Sequence, residues 1–560
     1  MRLLLLSSLC ALATAASVSA GAQACKCFPG DACWPSKEEW NSFNRTVGGR
    51  LIETVPLGSP CHAPNYDEAV CKELTSQWKL SAVHIDSSSS IQDPIYANQS
   101  CDPFTPRDSP CQMGNYVRYA VDVTGPKDIA ATIRFAEKKN IRLVIRNTAH
   151  DYMGRSTGAG ALAIWTHHMK DTEVKDWSDP EYTGKAIKIG AGVQGFEVGQ
   201  ALTKHGLVAV TGECPTVGVA GGYTQGGGHS PLSTAYGLSA DNTLEFEVVT
   251  ADGKFVKASP HSRKHADLFF ALSGSGAGNY GVVVSVTLKA HPEAMTSGAG
   301  FTLDDPSLDY PAIVNAWHAA LPAILDAGIM ATYYAEKGTL VVYSLTGYNR
   351  TQADMEKILA PFVKSVASLN VDLKPKYTQF DTYNEFYYSY FGPLPVGVFG
   401  SAGEYLMGGR LLHRDALQQV GGAINETLQL GVRVIGQATN IARFASRSRA
   451  VLPQWRDTLV MSSYTLPYSF DVPFEKMKAK QDYITNTIMP IIEKVTPDAG
   501  AYINEADFQQ PDWQDVFYGQ NYRRLLAIKK SYDPKGLFWN PIAVGSEGWK
   551  TQNDGKLCRA

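Results

Sequence analysis

Two rhythms of apolar residues alternate along this chain. Pro126 opens a helical pattern that sets Ile129, Ile133 and Ala136 on one face. The apolar run 141–145 then reads as a strand, and it feeds the polar loop Arg146-Asn147-Thr148-Ala149-His150-Asp151. A further strand is expected near Ile187, a helix over 196–205 stopped by Gly206, and a strand over 207–210. Beyond residue 295 longer helical patterns lie near 307–326, 351–369, 413–430 and 472–494, with Val- and Tyr-rich strand candidates between them, which predicts a second domain. A last helix over 513–530, ended by Tyr532-Asp533-Pro534, closes the chain and is expected to return to the first domain.

The N-terminal region follows neither rhythm. Arg2, the Leu-rich run 3–6 and the small residues through Val18-Ser19-Ala20 have the charge, apolar length and ending of a secretory signal peptide, expected over 1–20. Residues 21–112 are rich in Cys, Pro and Ser and read as a stapled extension lying on a larger body, with function beginning after it. Cys25, Cys27, Cys33, Cys61, Cys71, Cys101 and Cys111 fall there, and only Cys214 and Cys558 follow. In an oxidising compartment eight of these can form four disulfides, so the isolated Cys214 is the candidate for another use. A zinc site at Cys25, Cys27 and Cys33 lacks a His cluster to complete it. Sequons at Asn44, Asn98, Asn349 and Asn425 agree with secretion. No later stretch approaches the roughly 18 apolar residues of a membrane span, so a soluble product is expected.

Composition narrows the partner. The 560 residues carry 51 Lys plus Arg against 54 Asp plus Glu, which excludes a polybasic nucleic-acid surface as the governing feature. A hydrophobic share of 44% excludes disorder. The expected ligand is small and weakly charged, and nothing in the pattern sets an oligomeric state.

Glycine is concentrated where chemistry is expected: 18 of the 50 glycines fall in 190–281, in clusters at strand ends that let main-chain N–H groups approach a phosphate. Gly190-Ala191-Gly192-Val193-Gln194-Gly195, with Glu213 about 20 residues on, also fits a dinucleotide fingerprint, but the match is weak at this glycine density and a tight strand-to-helix turn is the favoured reading.

The longer constellation runs from Gly212-Glu213-Cys214-Pro215-Thr216-Val217-Gly218 through Gly221-Gly222 and Gly226-Gly227-Gly228 to Tyr236-Gly237-Leu238. With the loop 146–151, the run Gly274-Ser275-Gly276-Ala277-Gly278-Asn279 and the terminal Asn521-Tyr522-Arg523, it resembles the vanillyl-alcohol-oxidase superfamily in its berberine-bridge-enzyme-like branch. Within the branch the chain is most similar to secreted fungal FAD-linked oxidoreductases of the isoamyl-alcohol-oxidase type, several of which serve secondary metabolism. The resemblance implies an α+β fold: a two-lobed PCMH-type FAD-binding domain over 113–295, an α/β substrate domain over 296–505 with an antiparallel sheet backed by helices, and a segment over 506–560 returning to the FAD domain.

The same resemblance assigns roles. His150 and Cys214 become bicovalent attachment points, to the flavin 8α-methyl carbon and to C6. The diphosphate falls to the loop of Arg146, Asn147, Thr148, Ala149 and Asp151 and to Gly218, Gly221, Gly222, Gly226, Gly227, Gly228 and Gly278. Thr148 and Ala149 stand where the branch usually has two glycines, and a Cβ there narrows the backbone options. Tyr502, in Tyr502-Ile503-Asn504, becomes the catalytic base, which requires positive charge or hydrogen bonds that favour its phenolate. His229 follows the glycine cluster and either lies near the flavin or fills a turn; His167-His168 reads as structural; Tyr405 and the aromatic run 383–390 are candidate pocket walls. The implied reaction oxidises a small organic alcohol, with O2 reduced to H2O2. An oligosaccharide oxidase, a dehydrogenase with another acceptor, a flavin-binding protein without turnover and an NAD-dependent reductase all stay open on the sequence alone.

Overall fold

The computed structural model describes residues 25–560, and three sheets organise it; the expected signal peptide lies outside the described residues. In the first sheet Tyr119–Asp122, Leu162–Trp165 and Leu143–Arg146 run parallel, and Leu51–Glu53 adds an antiparallel edge. The helix Pro126–Lys138 connects two of these strands, with Pro at its first turn and Ile129, Ile133 and Ala136 buried, as its periodicity predicts. The second sheet is antiparallel, in the order Thr172–Ser178, Thr183–Gly190, Val282–Lys289, Thr243–Val249, Phe255–Ala258. These are the two lobes expected of the first domain.

The third sheet has seven antiparallel strands: Lys376–Phe380, Thr296–Leu303, Thr339–Tyr348, Met330–Glu336, Arg433–Ala438, Thr458–Pro467 and Tyr405–His413. Helices Tyr310–Asp326, Gln352–Ala367 and Gly421–Gln429 pack Trp317, Phe362 and Ile424 into the core beside it. The pattern near 413–430 becomes a helix only from Gly421, after a 3-10 turn Asp415–Gln418, and the pattern near 472–494 is interrupted by a π-turn at Ile484–Ile488. The expected helix over 513–530 breaks at Gly519, whose φ of +50° splits it into Trp513–Tyr518 and Tyr522–Tyr532. Its second half carries Leu525 and Ile528 into the core of the first domain, beside Phe269 and Phe270.

The extension is built differently from its sequence reading. It contains the helices Lys37–Thr46 and Glu68–Gln77, capped by Ser36 and Asp67, and its strand Leu51–Glu53 belongs to the first sheet. Its strand shares the first sheet, so it is not a layer laid upon that body, and its short helices bury only one or two side chains each. Four disulfides join Cys25 to Cys558, Cys27 to Cys33, Cys61 to Cys71 and Cys101 to Cys111, and Cys214 is free. The Cys25–Cys558 and Cys27–Cys33 bridges consume the three sulfurs of the zinc alternative, leaving Asp31 beside the second.

Candidate active site

The loop leaving the strand Leu143–Arg146 is shaped by its own side chains. Asn147 Nδ2 donates to the Ala191 carbonyl at 2.8 Å, and a Cβ on Gly218 would fall 2.0 Å from that nitrogen, so only glycine fits opposite it. Gly218 N–H donates to Thr148 Oγ1 at 3.3 Å, while the Thr148 carbonyl accepts from Gln92 of the extension at 2.8 Å. Ala149 has φ +59°, a left-handed conformation that a Cβ makes costly by about 1–2 kcal/mol. The glycine preference at this position is therefore physical, and this chain holds the conformation despite the Cβ. Asp151 accepts from Met153 N, Ser156 N and Ser156 Oγ, which fixes the turn beyond His150. The main-chain N–H groups of Thr148 to Tyr152 have no hydrogen-bond acceptor among the described residues.

Across this loop lies Cys214. Thr216 Oγ1 is 2.9 Å from His150 Nε2 and 3.3 Å from Cys214 Sγ, so one hydroxyl serves both side chains. Burial holds His150 down at about 4, helped by nearby His84, so its imidazole is neutral. Burial pushes the Cys214 thiol up, and the Thr216 hydroxyl opposes that rise. Thr216 Oγ1 either accepts from Nε2–H and donates to sulfur, or accepts from the thiol and donates to Nε2; in both arrangements His150 Nδ1 is the ring nitrogen outside this contact.

The glycines divide into two kinds. Gly221 and Gly222 lie in a π-turn, Val219–Tyr223, and a Cβ on Gly222 would meet nothing within 4 Å, so this backbone faces open space. Gly226, Gly227 and Gly228 are buried instead: a Cβ on Gly226 would strike Asn504 at 2.4 Å, and one on Gly228 would strike Ser239 and Tyr223 at 2.9 Å. Their smallness lets the C-terminal Tyr502-Ile503-Asn504 segment dock, and the N–H groups of Gly226 and Gly227 donate to the carbonyls of Gly222 and Thr224 at 2.9 and 3.2 Å. Arg146 also departs from expectation. Its guanidinium donates to the carbonyls of Ser87, at 3.1 Å, and Ser90, and so ties the strand end to the extension.

On the other side of Cys214, His229 Nε2 is 2.9 Å from Glu505 Oε1, and His229 Nδ1 is buried without a partner. Burial alone would lower this imidazole; the Glu505 charge and hydrogen bond more than offset it and leave His229 above its ordinary value. Tyr502 packs its ring 5.5 Å from His229 and 5.5 Å from Trp455, and its hydroxyl accepts from Asn504 Nδ2 at 2.8 Å. Burial and the Glu505 carboxylate push Tyr502 well above the ordinary phenol range, the opposite of what a phenolate base requires. Glu213 faces the second domain: Gln437 Nε2 donates to it at 3.0 Å, and Thr332 Oγ1 lies 2.7 Å away. It is no ribose ligand, and the 190–195 fingerprint is a tight turn, since a Cβ on Gly192 would strike the His167 carbonyl at 2.1 Å.

The remaining expectations divide similarly. His168 Nδ1 lies 2.8 Å from Asp122 Oδ1, and His167 is buried with its ring stacked on Trp165. Tyr405 is taken by Arg433, while Tyr383 and Tyr387 line a cavity of about 170 Å³ with Phe196 and Thr211. Sequence reasoning missed Thr216 and Glu505, which sit two and three residues beyond flagged positions and carry no motif of their own, and Gln92, which lies in the extension.

The unpartnered amides of 148–152, the open Gly221-Gly222 backbone and the His150–Cys214 pair fit a flavin dinucleotide: converging donors for a diphosphate, and two nucleophiles within reach of one ring. A FAD binding domain family matches residues 117–259, and a berberine and berberine-like family matches 501–545. The chain is 48% identical to FAD-linked oxidoreductase ZEB1 of Gibberella zeae over 96% of its length and 95% of that protein. It superposes on the VAO-type flavoprotein MtVAO615 of Myceliophthora thermophila C1 with a TM-score of 0.91 at 37% identity, over 96% of this chain and all of that one. A glucooligosaccharide oxidase from Acremonium strictum shares the fold at a TM-score of 0.65 and 20% identity, over 77% of this chain and 92% of that one. The chain is thus an FAD-linked oxidoreductase and belongs to the vanillyl-alcohol-oxidase superfamily, in its berberine-bridge-enzyme-like branch.

Proposed function

We propose that this protein is a secreted oxidase that carries FAD attached at both His150 and Cys214 and oxidises a small organic alcohol, O2 being reduced to H2O2. The observation that carries this reading is the shared Thr216 hydroxyl, which holds an imidazole and a thiol together at one place. The glucooligosaccharide oxidase is described as carrying 6-S-cysteinyl, 8α-N1-histidyl FAD, and the same pair of residue types is present in this chain. With Nε2 engaged by Thr216, Nδ1 is the His150 atom left to bond carbon. The diphosphate is assigned to the 148–152 amides and to Gly218, Gly221 and Gly222, with Asn147 and Asp151 shaping that cradle. Four disulfides and the absence, among the described helices, of one long and apolar enough to cross a membrane accord with secretion.

Bound FAD supplies a two-electron acceptor for a carbon–hydrogen bond. The protein supplies the base. His229 Nε2–H donates to Glu505, which leaves the lone pair on Nδ1 to take the alcohol proton; Glu505 then stabilises the imidazolium. Tyr502 stays protonated and orients the site through its hydroxyl, with Asn504 holding it. This reassigns the base from Tyr502 to His229. The test is anaerobic mixing with a panel of primary and secondary alcohols, read as bleaching of the flavin absorbance in the visible, followed by air and a peroxide assay. Bleaching with peroxide formation supports an alcohol oxidase; bleaching with slow reoxidation identifies a dehydrogenase and refutes the oxidase reading.

A further inference from the structure

The helix Gly195–Thr203 of the first domain and the aromatic helix Tyr383–Phe391 of the second face each other across the cleft of about 170 Å³. Its floor is the segment 208–211, and none of His150, Cys214, Thr216, His229, Tyr502 or Glu505 lines it. It is therefore a place apart from the flavin attachment and the base. Its walls are fixed by hydrogen bonds. Glu293 accepts from Tyr383 N at 2.7 Å and from Asn384 Nδ2 at 2.6 Å, which pins the start of the aromatic helix. Tyr387 donates its hydroxyl to the Gly212 carbonyl at 2.8 Å, which pins the second turn against the floor.

Gly199 sets the width of the cleft. A Cβ there would meet, beyond its own helix, only Asn384 Oδ1 at 3.6 Å, an ordinary contact, and its φ lies outside the left-handed region. Gly218, Gly226 and Gly228 stand where a side chain would collide; Gly199 does not. Glycine is nonetheless among the poorest residues in a helix interior. The position gives up helix stability without a steric need, and what it keeps is space.

Two unpaired polar atoms border that space. Asn384 Nδ2 is committed to the Glu293 carboxylate, so the amide cannot turn, and its oxygen stands beside Gly199 with no donor among the described residues. Thr211 is buried in the floor, and its hydroxyl has no partner among the described residues either. Around them the surface of Phe196, Val208, Tyr383 and Leu394 is apolar, and no charged side chain lines the cleft.

We infer that this cleft binds a small uncharged ring compound bearing a hydroxyl, a molecule of the phenol class, at a site distinct from the flavin. A cavity of roughly 150 Å³ takes up benzene, so the volume suits one six-membered ring. The aromatic walls receive that ring, while its hydroxyl donates to Asn384 Oδ1 and accepts from Thr211. A carboxylate would bring a charge that no cation meets, and a ring without a hydroxyl would leave both polar atoms unpaired. The inference is independent of the covalent links and of the identity of the base.

The test is a ligand-observed NMR titration of the flavin-loaded protein with phenol, benzoate and toluene. Phenol has no hydrogen on its oxygen-bearing carbon, so hydride transfer cannot consume it. It is expected to saturate with a Kd below about 10 mM, and benzoate to bind at least ~10-fold more weakly. Thr211→Val keeps the shape of the floor and removes its hydroxyl; it is expected to weaken phenol about 5-fold and to leave toluene within about 2-fold. Gly199→Leu fills the cleft and is expected to weaken both rings at least ~10-fold, with a melting temperature no lower than the parent's, so that loss of binding is not loss of fold. Absence of saturable phenol binding, or benzoate binding as tightly as phenol, would overturn the assignment. So would phenol affinity unchanged in Gly199→Leu, which would place the ligand elsewhere, or equal losses of phenol and toluene in Thr211→Val.

Discussion

His150 and Cys214, sixty-four positions apart in sequence, meet at one hydroxyl: Thr216 Oγ1 lies 2.9 Å from the imidazole Nε2 and 3.3 Å from the thiol sulfur. The meeting is produced by packing at Gly218, where Asn147 Nδ2 occupies the volume that any side chain would need, so the two loops lie in contact. Thr216 then selects which imidazole nitrogen is free.

Replacing Thr216 by Val keeps the shape and removes both hydrogen bonds. Burial raises the thiol without opposition from the hydroxyl, and His150 loses the partner of its Nε2. We expect T216V to show incomplete or single-site flavin attachment in the intact mass of denatured protein, with thermal stability lowered by about 1 kcal/mol. Complete double attachment in T216V would show that the hydroxyl has no part in it.

His229 must be unprotonated to act as base, and Glu505 raises it above the ordinary imidazole value of about 6.5. The rate of flavin reduction should therefore rise with pH through a limb lying above that value. Glu505→Gln removes the charge and should move the limb to lower pH while slowing reduction; His229→Gln should slow reduction about 100-fold or more and erase the limb. Tyr502→Phe, which removes a phenol that stays protonated, should cost less than about 10-fold. A larger loss in Y502F than in H229Q would return the base to Tyr502.

Much of this was legible before any coordinates. The helix at Pro126 follows from apolar spacing, and the α+β fold and the family follow from the motifs. What stayed hidden depends on contacts between distant segments. Glycine clusters mark close backbone approach, but the sequence does not say to what: Gly222 faces open space while Gly226 and Gly228 face Asn504, Tyr223 and Ser239. Tyr502 sits in a recognisable motif, yet its unsuitability as a base arises from burial beside Glu505, a residue with no motif. The extension looked peripheral because its short helices bury few residues each, although Gln92 and the carbonyls of Ser87 and Ser90 brace the site loop.

Glu213 ties the first domain to the second through a ring of three side chains. Thr332 lies 2.7 Å from Glu213 Oε1 and 2.9 Å from Gln437 Oε1, and its single hydroxyl hydrogen serves only one of them. The ring closes when Glu213 is protonated and donates to Thr332, which agrees with burial holding this carboxyl above its ordinary range. A raised carboxyl stabilises the fold below its unfolded value of about 4.3 and loses that contribution as pH rises through the folded value. Glu213→Gln preserves every bond of the ring without a titrating proton. Its melting temperature should equal the parent's at low pH and exceed it at about pH 8. Glu213→Ala should be about 2 kcal/mol less stable throughout.

Asp93, buried under the site loop, caps a short helix through the N–H groups of Ile95 and Tyr96. Burial raises its carboxyl to about 7, with the Asp151 charge adding to the rise. Its stabilising contribution is present below about pH 4 and is lost between about 4 and 7. Asp93→Asn, which caps as well, should flatten the decline in stability across that window by about 2–4 kcal/mol, as urea unfolding would show.

The double attachment is tested most directly by digesting denatured protein and weighing its flavin peptides. The account predicts one yellow species in which the peptides holding His150 and Cys214 are joined through a single FAD, the Cys214→Ala variant keeping only the His150 link and the variant lacking both keeping none. Flavin released into the supernatant when the native protein is precipitated with acid, leaving both peptides unmodified, would contradict it.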